Sequence, residues 1–211
     1  MNKMVLLMLI FSGIPGTGVF AARPFTTDDA GTVEKEGFEV EVASNYWKNS
    51  ADAGIGLKHG LTDRMDIGAG FGYTALPEKE AQFSALEVGL KYAIVPDLLS
   101  TSVSASFDSP VYTINLILSK PVGVAAFHGN AGIEAESVSK SVNLVYGVAA
   151  AFNMGRITSG VEVGGINKEL NWWQLGAQID LLDWLAVDFG LGGDFQKEVG
   201  YAATTGFWFG F

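Results

Sequence analysis

Val199–Phe211, VGYAATTGFWFGF, closes the chain on an aromatic residue. Counting back in twos from Phe211 passes Phe209, Phe207, Thr205, Ala203 and Tyr201. Between them lie Gly210, Trp208, Gly206, Thr204, Ala202 and Gly200. One face is aromatic and apolar and the other mostly small. That is a period-two strand of about the length that crosses a bilayer at a tilt. A strand in hydrocarbon cannot leave its edge groups unpaired, so it must close a barrel with others. Tyr201, Phe207, Phe209 and the terminal Phe211 also look like the assembly signal by which bacterial outer-membrane proteins present their last strand to the barrel-assembly machinery. The competing reading, an edge strand of a soluble sheet, is weakened because the rest of the chain repeats the pattern.

At the other end, residues 1–21 read as a secretory signal. Lys3 supplies a positive n-region, Met4–Phe11 is an apolar run, and Val19-Phe20-Ala21 is a small-x-small cleavage site. Cleavage is expected after Ala21 by the secretion apparatus. The apolar run is too short for a spanning helix. The absence of Cys excludes a disulfide and a thiolate metal site. The net charge of −10 argues against nucleic acid as a partner, because phosphates require Lys and Arg. The 27 glycines and the lack of sustained helical periodicity suit a barrel.

Residues 22–36 show no alternation and read as an irregular N-terminal segment. From 37 to 211, strand-like runs alternate with turn signals. Twelve strands are expected, roughly 37–47, 51–60, 64–74, 82–94, 98–108, 111–120, 124–135, 141–152, 156–166, 172–182, 185–195 and 199–211. Counts from ten to fourteen also fit, because such boundaries shift by a few residues. An even count brings both ends to the periplasmic side. The expected fold is an all-β, closed antiparallel transmembrane barrel of the bacterial outer membrane, in contact with its lipids.

Charge tests the assignment from within. When each strand is oriented by its apolar face, the charges fall on the opposite one. Phe38, Val40 and Val42 oppose Glu39 and Glu41, and Leu99, Val103 and Phe107 oppose a ladder of serines at 100, 102, 104 and 106. His59 is the main exception. The expected lumen lining is Glu39, Glu41, Asp52, Lys58, Arg64, Asp66, Glu87, Lys91, Asp108, His128, Glu134, Arg156, Glu162, Asp180, Asp188 and Asp194, with Lys120 also inward. Aromatic girdles are expected from Tyr46, Trp47, Tyr73, Tyr112, Trp172, Trp173 and Tyr201 at the outer rim. Tyr92, Trp184, Trp208 and Phe211 would form the inner one. Tyr146 falls nearer mid-strand and has no place in either.

No catalytic set stands out. Mirroring the sixth and seventh strands about residues 121–123 puts His128 near Asn115–Ile117 with no serine beside it, so an enzyme is not expected. Neither a metal site nor a cofactor is expected, because two distant histidines and scattered carboxylates lack ligand spacing. An acidic lumen would disfavour anions. A self-satisfied ion-pair network that fills the barrel fits the same residues. The irregular segment suits either a lumen plug, with Arg23 pairing inward acids and Asp28 and Asp29 pairing inward bases, or a periplasmic tail.

The stretch Arg23-Pro24-Phe25-Thr26-Thr27-Asp28-Asp29-Ala30-Gly31-Thr32-Val33 resembles the start of an outer-membrane transporter family named for the phenol-degradation meta-pathway. That family is distantly similar to the long-chain fatty-acid channel group. Members begin Arg-Pro-Leu-x-Thr-x-Asp-Ala-Gly-Thr-Val, and Phe25 stands where Leu is usual. Gly60-Leu61-Thr62-Asp63-Arg64-Met65-Asp66-Ile67-Gly68 also resembles the family's turn-and-strand pattern. The resemblance covers the N-terminal third. It implies a channel for passive uptake of small solutes, hydrophobic or aromatic in kind. The alternatives are a plugged structural or interaction barrel and, last, a lipid-modifying enzyme.

Overall fold

The computed structural model describes residues 24–47, 50–76, 81–107, 110–196 and 201–211. The strands are β1 (Phe38–Trp47), β2 (Ser50–Thr62), β3 (Met65–Leu76), β4 (Gln82–Phe83), β5 (Glu87–Val95), β6 (Leu99–Ser106), β7 (Val111–Val122), β8 (Ala125–Glu136), β9 (Ser141–Asn153), β10 (Ile157–Ile166), β11 (Glu169–Leu182), β12 (Leu185–Asp194) and β13 (Tyr201–Gly210). Sequential neighbours pair antiparallel, except that β4 and β5 both pair with β3, and β13 returns to β1, so the described strands close into a ring. The short β4 continues the line of β5. Together they occupy the fourth expected strand, broken at Ser84–Leu86, where the Ser84 hydroxyl takes the Gly72 amide at 2.6 Å. The result is a closed twelve-stranded antiparallel β-barrel with one interrupted strand.

Closure follows from the terminal strand. Val42 pairs with Phe207 and Val40 with Phe209. Beyond the ladder, Phe211 N–H donates to the Phe38 carbonyl at 2.9 Å and Phe38 N–H returns to Phe211 at 3.0 Å. His59, an outward residue on β2, lies against Phe38 with ring centroids 4.1 Å apart, and its Nδ1 sits 3.0 Å from the Gly37 carbonyl. The outward set is apolar and exposed along every long strand, as with Ile55, Phe71, Ile114, Val148 and Leu191. The inward set is small or charged. An apolar exterior around a polar interior is the arrangement of a membrane-spanning barrel.

Turns alternate in character. At one end the links are tight, such as Asp63–Arg64 and Gly123–Val124, and this end is periplasmic in barrels of this type. Gly123 has φ of +63°, a left-handed conformation that glycine adopts without strain. At the other end Asn167, at φ +59°, plays the same part for the two-residue link β10–β11.

Candidate functional site

The wall encloses the lumen, and most of the described charged strand residues meet there. Lys58 lies 2.8 Å from Glu41 and 3.9 Å from Glu39, with all three side chains largely shielded. Glu39 also takes the indole N–H of Trp208. Asp66, Lys91, Glu162 and Asp188 are buried on the inner face. Glu87 accepts from Ser104, and Asn45 donates to Asp52 at 2.8 Å nearer the outer rim. Glu134 lies inward and half-buried, and Asp194, near the outer mouth, accepts the Gln196 amide at 2.7 Å.

The segment 24–37 runs inside this wall. It rises from the periplasmic end, where Lys35 bridges to Gly60 and Glu36 N–H donates to the Gly60 carbonyl at 2.8 Å. It then crosses towards β10 and β11. A buried main chain outside a helix or sheet needs other partners for its polar groups. Here the wall side chains supply them. Val33 N–H reaches Asp66 at 3.0 Å. Ala30 N–H reaches the Ser119 hydroxyl at 2.8 Å, and Ser100 donates to the Ala30 carbonyl at 2.5 Å. Asn130 accepts Asp28 N–H at 2.6 Å and donates to the Asp28 carbonyl at 3.3 Å. The Glu162 carboxylate takes Thr26 N–H at 2.9 Å and Thr27 N–H at 2.8 Å. Gln174 donates to the Pro24 carbonyl.

Side chains complete the fit. Asp28 pairs with Lys91 at 3.0 Å. Burial pushes the Asp28 carboxyl up to about 7 against the opposing pull of Lys91, with Asp29 adding to the rise and Lys58 to the pull. Phe25, Thr27, Ala30 and Val33 are buried. Three wall glycines make room: a Cβ at Gly176 would stand 2.3 Å from Pro24, at Gly147 2.6 Å from the Thr27 hydroxyl, and at Gly160 2.9 Å from the Phe25 ring. Asp29 is less buried, and its carboxylate turns back on the Gly31 amide at 2.7 Å.

Several expectations need correction. Arg64 and Arg156 do not line the lumen. The strands begin one residue later than expected, which leaves both arginines exposed in periplasmic turns, with Arg156 donating to the Leu181 carbonyl at 3.2 Å. Asp180 is exposed at the same rim beside a bulge between Asp180 and Leu182. Lys120 faces outward, paired with Phe127. Trp172 does not belong to a girdle: it is buried inward, its ring laid on Gly164. Trp208 is inward as well, at Glu39. Tyr146 lies outward and its hydroxyl caps the Glu169 carbonyl at 3.0 Å near the outer rim. Asp108 and Arg23 lie outside the described residues, as does the side chain of Tyr201, whose main chain pairs with Gly193.

The largest difference concerns His128. Its cross-strand partner is Ser119, with Ser119 Oγ 2.8 Å from His128 Nδ1. The β7–β8 turn is Gly123–Val124, so β7 continues through Pro121 and the register moves three residues from the expected one. Sequence reasoning also missed Asn130, Gln174 and Ser119 as partners of the segment. Their inward position follows from alternation once the register is known, but no local pattern sets them apart.

The fold can now be compared. The KdgM porin superposes with a TM-score of 0.65 at 8% identity, covering 81% of this chain and 98% of its own. The NanC porin gives 0.63 at 9%, covering 81% and 98%. An outer-membrane channel from Pseudomonas putida F1 gives 0.62 at 12%, covering 87% and 98%. The fold is that of an outer-membrane porin barrel. At such identities the likeness is one of fold alone. No family model matches the chain, and no curated protein matches it.

Proposed function

We propose that this chain is a channel of the bacterial outer membrane for passive passage of small solutes, and that residues 22–36 plug or constrict it from the periplasmic side. The observation that supports this most is the segment 24–37 held within a polar lumen by side chains of seven strands. Eight-stranded barrels fill with wall side chains and sixteen-stranded ones leave a channel; in this twelve-stranded wall, glycines open the space where the segment lies.

Acids outnumber bases on the described inner face, where Lys58 and Lys91 are already engaged. The channel therefore favours cations and neutral solutes over anions. One KdgM structure holds an oligogalacturonate, a polyanion; this lumen has the wrong sign for such a ligand. Hydrophobic or aromatic solutes, which the family resemblance implies, would meet Phe25, Trp172 and Trp208 in an otherwise polar interior. Residues 1–21 act as the cleaved secretory signal, and the β13 aromatics engage the assembly machinery. The Ser119–His128 pair lies beneath Ala30 and serves to hold the segment, in keeping with a channel and not an enzyme.

Single-channel recording of the full chain and of Glu162→Ala tests this. A closed or small conductance that enlarges and turns cation-selective in the variant is expected. Silence from both, with the barrel shown to be folded, would overturn the channel and leave the second reading, a plugged structural barrel, which the well-satisfied segment also supports.

A further inference from the structure

We infer that the lumen is a recognition track for an oligopeptide read mainly through its backbone, with residues 24–33 as its built-in occupant. This deepens the channel reading by naming the solute class. The wall addresses the main chain far more than the side chains. Glu162 takes two successive amides, those of Thr26 and Thr27. Asn130 engages both N–H and carbonyl of Asp28. Ser119 and Ser100 engage both N–H and carbonyl of Ala30. Paired donor and acceptor stations two residues apart match the alternation of a peptide backbone, the pattern by which extended peptides are commonly recognised. A sugar chain has no such repeat of amide and carbonyl.

Selectivity enters at two places. Lys91 takes a carboxylate at 3.0 Å, and the Gly176 and Gly147 hollows admit the Pro24–Phe25 end and Thr27. The ligand class is thus an oligopeptide of about ten residues, with a Pro-aromatic end and one acidic residue to meet Lys91.

The test uses the full chain carrying Phe25→Ala and Asp28→Ala, which loosens the resident segment without altering the wall. The probe is a fluorescent synthetic peptide, PFTTDDAGTVE, matching residues 24–34. Anisotropy in detergent reads binding, and conductance is recorded in parallel. The peptide is expected to bind the variant at least about tenfold more tightly than the wild-type barrel, whose own segment competes. N-methylation at the positions of Thr27 and Ala30 removes two addressed amides and should cost tenfold or more. Replacing Thr32 in the peptide by Val should change little. Equal binding of the N-methylated peptide, or no binding at millimolar peptide, would overturn the track. If the double variant does not show the heat-shifted mobility of a folded barrel, Phe25→Ala alone replaces it under the same criteria. Peptide binding without conductance leaves the track standing and removes the channel. Conductance without binding does the reverse.

Discussion

Gly176 and Gly160 face the same segment but differ in what a methyl group would meet. The atoms nearest a Cβ at Gly176 belong to Pro24 and Phe25, whereas one at Gly160 would press first on the Ala150 carbonyl, part of the wall itself. Gly176→Ala is therefore expected to expel the segment while barrel melting stays unchanged, read as cleavage between residues 24 and 36 by a protease that spares the wild type. Gly160→Ala should lower barrel stability as well. Asp28 sets a pH dependence. Its carboxyl is raised from 3.8 to about 7 in the docked state. Docking is then strongest below about pH 4, weakens as pH rises towards 7, and is flat above, because the docked state holds the proton that the free segment releases. Protease protection of residues 24–36 should fall between pH 4.5 and 7.5 in the wild type. In Asp28→Asn that slope should be much reduced; an unchanged slope would assign it to another group.

The segment and the wall strands act on one another as elements. Glu162 is 1% exposed and takes three short contacts from the amides of Thr26 and Thr27. Its loss strands two amides, at about 2–4 kcal/mol for charge-assisted hydrogen bonds, or on the order of a hundredfold in docked over undocked chain. Hydrogen exchange of those two amides in Glu162→Ala against wild type measures this. At the other terminus, Phe211→Ala retains the main-chain bonds to Phe38 but removes the last ring of the terminal strand. Slower insertion by isolated assembly machinery, with an unchanged folded barrel once formed, is the expected outcome.

The strand pattern was legible because lipid outside and a polar lumen inside force strict alternation. The His128 register was not, because alternation within a strand does not record turn length: a three-residue turn at 121–123 sets His128 near Asn115–Ile117, whereas the two-residue turn at Gly123–Val124 moves the partner three residues to Ser119 and, the shift being odd, turns Lys120 outward. Trp172 was misplaced for a similar reason. An aromatic near a rim fits a girdle, and only the glycine opposite, Gly164, makes room for it inside.

As a whole the barrel presents an apolar exterior and an interior in which acids dominate. Cation selectivity in the opened variant should therefore decline as salt rises from about 0.1 M to 1 M, where the screening length falls from roughly 10 Å to 3 Å. Selectivity insensitive to salt would point to a site chemistry other than the summed acidic field.

Alternation, charge placement and the aromatic end of β13 are properties of neighbours along the chain, so the sequence alone determined a closed membrane-type barrel and nearly all of its faces. Where residues 24–37 go is a matter of partners remote along the chain. Thr26 meets Glu162, Asp28 meets Lys91 and Asn130, and Ala30 meets Ser100 and Ser119. Only closure of the ring brings those strands round a common axis, and only then does an irregular segment find enough acceptors to be buried. The tertiary structure decided that the lumen is occupied, because no local periodicity records which inward side chains share one height in a closed barrel.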